Sequence, residues 1–297
     1  MRGLKKIAFV LLNIFVGTLL LIILLFRLPF FNFRESSEKQ TEAITEFGQQ
    51  TPRFEDYETE LPDGKKRNIH YVHVGDEDKP LLLLVHGSPG SSSAMNVYLA
   101  DTNLTKTMQI VAVDRPGFGF SDFGKTEASL AYQSLALKPI VEKYGANGAI
   151  LLGHSLGGPV IARMAMDYPE LITGLVVVAG SISPELEPQE WWRKPLNSWL
   201  FRWILPKSFR VSNEEIMYVK EELDEMMPLW EKITCPVVVY QGDKDKLVPM
   251  GNALFAEKML VNSKSVEINM LVGQDHFILW SMKDDIVAGV QRLVETP

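Results

Sequence analysis

The chain has 297 residues, of which 46% are apolar and 23% are charged, and its formal net charge is −7. This composition is typical of a globular protein with a full core, and the acidic balance argues against nucleic acid as a partner, because phosphate recognition requires an excess of Lys and Arg. The single cysteine, Cys235, excludes an internal disulfide, and no CxxC or His-rich cluster suggests a metal site.

The first segment, residues 1–34, is predicted to be a membrane anchor. Its apolar, uncharged run from Ile7 to Phe26 is long enough to cross a bilayer as a helix. More positive charge precedes this run than follows it, which places the N-terminus in the cytoplasm and the body on the extracytoplasmic, periplasmic or extracellular side. The basic residues concerned are Arg2, Lys5 and Lys6 before the run, and Arg27 and Arg34 after it. A cleaved signal peptide is the alternative, although its apolar core would be shorter and would end at small residues.

Residues 35–52 are polar and are predicted to form a linker or a partly helical stalk. Residues 53–297 are predicted to form one α/β domain. A hairpin over 54–74 begins it, and apolar strands then alternate with helical segments. Strands that are apolar throughout indicate a mostly parallel sheet covered by helices on both faces. The hairpin carries His70 and His73, which we expect to be structural or solvent-facing. The predicted strands are 54–59, 69–74, 81–85, 109–113, 149–152, 175–178, 236–240 and 265–271, and helices are predicted over 129–144 and 251–260, for example.

Gly153-His154-Ser155-Leu156-Gly157 follows one of these strands and precedes a helix-like run. A strand, G-x-S-x-G and a helix together predict a nucleophile elbow, in which a sharp turn exposes the serine hydroxyl. Ser155 is therefore the candidate nucleophile. The amides at the start of the following helix would point toward an oxyanion formed there. The alternative is a glycine-rich turn in a domain without catalytic activity.

A long stretch over about 183–232 interrupts the alternation and is predicted to be an inserted lid. It holds five of the six tryptophans of the chain. Apolar residues at helical spacing within 196–204, which include Trp199 and Trp203, predict one apolar helix face. Three interpretations stay open for this face: the wall of a hydrophobic substrate pocket, a surface resting on the membrane, or a contact between lid and core.

The nucleophile requires a base and an orienting acid. His276 follows a strand-like run, and catalytic side chains collect at the carboxyl ends of such strands. Asp243 and Asp245 follow another strand, and the pattern G-x-x-D-x-x-V-P favours Asp245 while Asp243 stays an alternative. Asp275 is a poor candidate, because adjacent side chains rarely face each other.

The order Ser155, Asp245, His276 resembles that of the α/β-hydrolase superfamily, of the lid-bearing esterase and C–C hydrolase type. Two further motifs strengthen the resemblance, which extends over roughly 53–294: His86-Gly87-Ser88-Pro89-Gly90 and Asp114-Arg115-Pro116-Gly117-Phe118-Gly119-Phe120-Ser121. The resemblance implies that the backbone N–H groups of Ser88 and Leu156 hold an oxyanion. It also implies that Asp114 and Ser121 are structural. Epoxide hydrolases and haloalkane dehalogenases of this superfamily use an Asp nucleophile, so the serine argues against both.

These features predict a membrane-anchored serine hydrolase that cleaves a carboxylic ester with an apolar acyl or alcohol part through an acyl-enzyme, without cofactor or metal. The alternatives are hydrolysis of a C–C bond, a thioester or an amide, cofactor-free perhydrolysis, or a non-catalytic scaffold with the same fold. The sequence carries no signal for an oligomeric state.

Overall fold

The computed structural model describes residues 2–48 and 50–295, with an eight-stranded sheet of order β1-β2-β4-β3-β5-β6-β7-β8. Strands β1 and β2 pair antiparallel, as do β2 and β4, and every other pair is parallel. Met1, Gln49, Thr296 and Pro297, which fall in the predicted segments, lie outside the described residues, as does the side chain of Arg2, one of the predicted basic flank.

The strands are β1 Arg53–Glu60, β2 Lys66–Val74, β3 Leu81–Val85, β4 Gln109–Val113, β5 Ala149–His154, β6 Gly174–Val178, β7 Val237–Gly242 and β8 Val266–Leu271. The helices are α1 Arg2–Leu25, α2 Ser37–Phe47, α3 Asn96–Leu99, α4 Thr102–Thr107, α5 Leu130–Tyr144, α6 Gly157–Asp167, α7 Arg193–Asn197, α8 Lys207–Met226, α9 Gly251–Met259, α10 Ile278–Ser281 and α11 Lys283–Glu295.

The central parallel strands are buried on both faces, which explains their continuous apolar sequence. All five side chains of β3 are buried, with Leu83 packed into the core on one face of the sheet and Leu82 and Leu84 into the core on the other. The mostly parallel α/β prediction is therefore confirmed. His70 and His73 were predicted to be either structural or solvent-facing. Both are buried, so the structural alternative is confirmed and the solvent-facing one is wrong.

Helix α1 lies outside this core. Its stretch Lys5–Leu25 is long and apolar enough to cross a membrane, and none of it is buried within the protein. The predicted linker contains helix α2, which packs against the body through the fully buried Ile44. Gln40 on the same helix donates a hydrogen bond of 3.0 Å to Asn96 Oδ1. This segment is thus helical over 37–47 and lies on the body rather than extending freely from it.

The predicted lid contains α7 and the long helix α8. The prediction of one apolar helix face over 196–204 is wrong, because α7 ends at Asn197 and turns follow it. Ser198 adopts an extended conformation, and both its backbone N–H and its hydroxyl donate to the Pro195 carbonyl. These local hydrogen bonds compete with continuation of the helix.

Candidate active site

Ser155 stands at the turn between strand β5 and helix α6. Its φ of 53° lies in the left-handed region, which costs free energy for a residue with a side chain and is typical of strained functional turns. The turn is possible because glycines flank it. A Cβ on Gly153 would lie 2.3 Å from the Gly157 carbonyl oxygen, and one on Gly157 would lie 2.3 Å from the Val85 carbonyl oxygen.

The loop after β3 passes directly over the serine. A Cβ on Gly87 would lie 2.9 Å from Ser155 Cβ, so only glycine lets the loop backbone approach this closely. The backbone N–H groups of Ser88 and Leu156 donate no backbone hydrogen bond within residues 2–48 and 50–295. The loop and the elbow beside Ser155 therefore each contain one N–H group that has no backbone acceptor.

His276 and Asp245 are in contact across the carboxyl end of the sheet. His276 Nδ1 donates to Asp245 Oδ2 at 2.8 Å, and Asp245 Oδ1 accepts the backbone N–H groups of Leu247 and Val248, each at 2.8 Å. Burial alone would raise the pKa of Asp245, but the hydrogen bonds from His276 and the two backbone groups outweigh it and lower that pKa. The carboxylate is thus ionised and its orientation is fixed by the backbone.

The two competing carboxylates point elsewhere. Asp243 Oδ1 accepts the backbone N–H of Gly273 at 2.6 Å, which ties the loop before His276 to the end of β7. Asp275 Oδ1 accepts the backbone N–H of Phe277 at 2.9 Å. Asp245 is consequently the carboxylate placed against the histidine.

The Ser155 hydroxyl makes no hydrogen bond to any described residue. Of the two hydrogen bonds that the predicted triad requires, the one between His276 and Asp245 is present, while the one from Ser155 to His276 is not formed. Such bonds are often long in the absence of substrate and tighten only when it binds.

Two further histidines, which were not predicted as site residues, form hydrogen bonds with backbone groups around the site. His154 Nε2 donates to the His276 carbonyl oxygen at 3.1 Å, and the two rings lie 4.9 Å apart. Burial and the neighbouring His276 lower the pKa of His154 to about 4, so His154 stays neutral. His86 Nδ1 donates to the Gly87 carbonyl at 2.6 Å, and its Nε2 accepts the Arg115 backbone N–H at 3.0 Å. Both histidines therefore position backbone rather than transfer protons.

Arg115 and Glu215 form a buried ion pair that joins the lid to the loop after β3, residues 86–90. Arg115 donates to both carboxylate oxygens of Glu215, at 2.8 and 3.1 Å, and to the Gly87 carbonyl at 3.1 Å. Ser88 Oγ and Gln133 Nε2 donate to the same carboxylate, at 2.9 and 3.0 Å. Burial raises the pKa of Glu215, and the Arg115 guanidinium opposes that rise. Sequence reasoning missed Glu215, because a glutamate on a charged helix carries no signal of burial.

Of the remaining predicted residues, two lie on the surface of the lid and one stabilises a loop near the site. The lid residues Trp199 and Trp203 are 84% and 46% exposed, so they form lid surface in this structure rather than an enclosed wall. Asp114 Oδ1 and Oδ2 accept the backbone N–H groups of Ser92 and Phe120, as expected for a structural loop. In the described part of the chain, no group of three or more His, Cys, Asp or Glu side chains is arranged to hold a metal ion.

The sequence profile of the family described as alpha/beta hydrolase fold matches residues 80–204. Epoxide hydrolase 1 of Caenorhabditis elegans is 25% identical over 77% of this chain and 60% of its own length. A 2-hydroxy-6-oxononadienedioate/2-hydroxy-6-oxononatrienedioate hydrolase of Pseudomonas sp is 32% identical over 38% of this chain and 40% of its own length. The matches thus span less than two thirds of these curated relatives.

Among solved structures, a bacterial membrane phospholipase A described as a virulence factor superposes with a TM-score of 0.63. The superposition covers 100% of both chains at 17% identity, which speaks to the fold alone. The profile match, the sheet order and the serine elbow after β5 agree with one another. The chain has the α/β-hydrolase fold, and its residues 80–204 match the profile of that family.

Proposed function

We propose that this chain is a membrane-anchored serine hydrolase that cleaves a carboxylic ester with an apolar acyl or alcohol part. The observation that carries the proposal is the 2.8 Å hydrogen bond from His276 Nδ1 to the buried Asp245 carboxylate, at the sheet edge where Ser155 occupies a strained elbow. A histidine held in this tautomer presents Nε2 as a base, which is what a serine nucleophile needs.

In the proposed mechanism, His276 Nε2 takes the hydroxyl proton while Ser155 Oγ attacks the carbonyl carbon. Asp245 stabilises the imidazolium that forms, and the N–H groups of Ser88 and Leu156 stabilise the oxyanion. The imidazolium then protonates the leaving alcohol, and the acyl-enzyme remains. His276 finally activates a water molecule that releases the acid and regenerates Ser155.

Two observations support an ester with an apolar part. The apolar helix α1 is suited to hold the enzyme at a membrane, and the lid exposes large aromatic side chains. The relative named as an epoxide hydrolase does not transfer its reaction to this chain by name alone, because the residue at the elbow here is Ser155 and not an aspartate. Hydrolysis of a C–C bond, a thioester or an amide would use the same groups and differs in its products.

A fluorophosphonate probe is expected to label the full chain covalently and to leave Ser155→Ala unlabelled, because only a base-activated serine attacks phosphorus at a useful rate. Ser198→Ala, which removes an exposed hydroxyl of the lid, is the matched control and should label like the unmodified chain. Labelled protein is measured by in-gel fluorescence.

Equal labelling of Ser155→Ala, or no labelling of a folded unmodified chain, would contradict the enzyme proposal and favour a scaffold role. Acyl esters of graded chain length, tested with the unlabelled full chain, then identify the preferred acyl group. Thioester, amide and diketone substrates tested alongside identify the bond.

We further propose that the catalytic body lies on the extracytoplasmic side with the anchor retained, because more positive charge precedes the apolar run than follows it. Protease added to intact spheroplasts should digest the body, and mass spectrometry of the membrane-bound protein should find peptides that precede Phe26. Protection of the body from protease would reverse the orientation. A mature N-terminus after Phe26 would instead identify a cleaved signal.

A further inference from the structure

A cationic cavity lies where the apolar helix α1 meets the lid. It measures about 520 Å³ and is lined by residues of the segment that follows α1, by Phe123, and by the start of helix α8. Three of its lining residues are basic: Arg27, Arg34 and Lys207. This concentration of positive charge stands out because residues 35–297 contain 25 basic and 37 acidic side chains.

The three cations are held near one another without a counter-charge. Arg34 lies over the Phe120 and Phe123 rings, at 4.1 and 5.2 Å, and Lys207 Nζ lies 5.6 Å from the same Phe123 ring. Within the part of the chain that the structure describes, none of the three has a carboxylate at salt-bridge distance. Three basic side chains that line one cavity give it a positive potential, which attracts an anion.

The carboxylates nearest in sequence are bonded elsewhere. Glu35 Oε2 accepts from Asn96 Nδ2 at 3.3 Å, and Asp122 Oδ1 pairs with Lys125 at 2.8 Å. Glu214 on α8 pairs with Arg202 at 2.8 Å. These three carboxylates therefore do not neutralise the positive charge of the cavity, which can attract an anionic ligand.

The position of the cavity favours a lipid as the source of that anion. Arg27 directly follows the apolar run and donates to the Trp203 carbonyl at 3.0 Å, which ties the end of the anchor to the lid. Phe31 packs on Phe209 of α8 at 6.2 Å between ring centroids, and the Ser208 hydroxyl donates to the Phe31 carbonyl. The neighbouring Phe30 is 77% exposed. An apolar ring exposed this close to an apolar helix is more stable against lipid than against water.

We propose that Arg27, Arg34 and Lys207 bind the phosphate of an anionic membrane lipid in the leaflet next to the body. The phosphate accepts charge-assisted hydrogen bonds from the two guanidinium groups and the ammonium group. The acyl chains of the lipid run beside α1. The lipid fixes the lid against the membrane through the contacts of Arg27 and Phe31. This inference rests on the membrane anchoring proposed above and is independent of the catalytic chemistry.

The test uses the full chain in a neutral detergent, titrated with dioctanoylphosphatidylglycerol, dioctanoylphosphatidylcholine, glycerol phosphate or inorganic phosphate. Thermal unfolding reports binding, because a ligand of the native state raises Tm, and native mass spectrometry counts bound lipid. We expect dioctanoylphosphatidylglycerol to raise Tm at concentrations where the other three compounds do not.

The double variant Arg34→Gln and Lys207→Gln should bind the lipid at least about tenfold more weakly, because two charge-assisted contacts are lost. Lys106→Gln, which removes one exposed lysine of helix α4, is the control for loss of surface charge and should bind normally. Loss of Lys207 should not weaken α8, since a cation at a helix N-terminus is unfavourable. An unchanged circular dichroism spectrum and an unchanged Tm without lipid show that the double variant is folded.

Equal lipid affinity of the double variant and the unmodified chain would overturn the proposal. An equal response to phosphatidylcholine would show that a net negative headgroup is not recognised, and an equal response to glycerol phosphate or inorganic phosphate would identify a soluble ligand; either result also overturns it. Carbonate extraction of membranes separately tests the anchoring, so failure of the anchor and failure of the lipid site are distinguishable.

Discussion

Asp245→Asn is expected to lower kcat by about 10⁴-fold while leaving the fold intact, as a wrong histidine tautomer does in triad enzymes. The backbone dictates this outcome. The N–H groups of Leu247 and Val248 both donate to Asp245 Oδ1, so an asparagine must place its carbonyl oxygen there. Its NH₂ group then faces His276 Nδ1 and forces the ring proton onto Nε2, where the nucleophile requires a base.

Asp243→Asn is the matched control, because Asp243 lies two positions from Asp245 and its substitution removes the same charge. Among residues 2–48 and 50–295, its carboxylate accepts only the Gly273 N–H, which an asparagine carbonyl can also accept. We expect a loss of less than about tenfold, since the tautomer of His276 is unaffected. Steady-state hydrolysis of the preferred ester measures both variants. The reverse ranking would move the orienting role to Asp243.

The parallel strands could be predicted from the sequence because burial on both faces leaves an apolar run. Leu81–Val85 and Gln109–Val113 were predicted with the bounds that the structure has. The elbow at Ser155 could be predicted for a related reason: its glycines are required by close backbone contacts that no other residue permits.

The lid could not be predicted at the same level. Apolar spacing over 196–204 predicted a helix, but local hydrogen bonds at Ser198 end it. On helix α8, Glu222 accepts the Leu130 backbone N–H at 2.7 Å. The partner lies 92 positions away in the chain. Helical periodicity reports which face is apolar, not which distant donor meets a carboxylate.

The contact between the segment that follows α1 and the lid could not be predicted from the sequence for the same reason. Arg27 and Arg34 were predicted as the basic flank of an anchor, and their charge alone decided a topology. Which other cation lies near them depends on where α8 begins, and only the folded chain brings Lys207 to the same cavity.

Glu215→Ala is expected to destabilise the body by about 3–5 kcal/mol, because it leaves the buried Arg115 charge without its partner. The side chains of Arg115 and Glu215 are 0% and 1% exposed, so water cannot replace the lost carboxylate. Gln133 and Ser88 lose an acceptor as well. On the usual scale for a domain of this size, the thermal midpoint should fall by on the order of 10 °C.

The neighbouring Glu214 supplies the control on the same helix. Glu214 also pairs with an arginine, Arg202, but that arginine is 42% exposed and can be solvated when its partner is lost. Glu214→Ala should therefore cost about 1 kcal/mol or less. Both variants are compared with the unmodified full chain by thermal unfolding in neutral detergent. A shift for Glu215→Ala no larger than that for Glu214→Ala would show that the Arg115 charge is accommodated in another way.

Glu215→Gln separates the structural effect from an effect on the loop after β3. An amide keeps the shape and still accepts one hydrogen bond, so it should recover part of the stability lost in Glu215→Ala. It cannot accept from Ser88 and from both Arg115 nitrogens at once, and the Ser88 side chain then loses its fixed position. Because the Ser88 N–H is proposed to stabilise the transition state and not the bound ester, kcat should fall while KM changes little. A rise in KM with unchanged kcat would instead assign Glu215 to substrate binding by the lid.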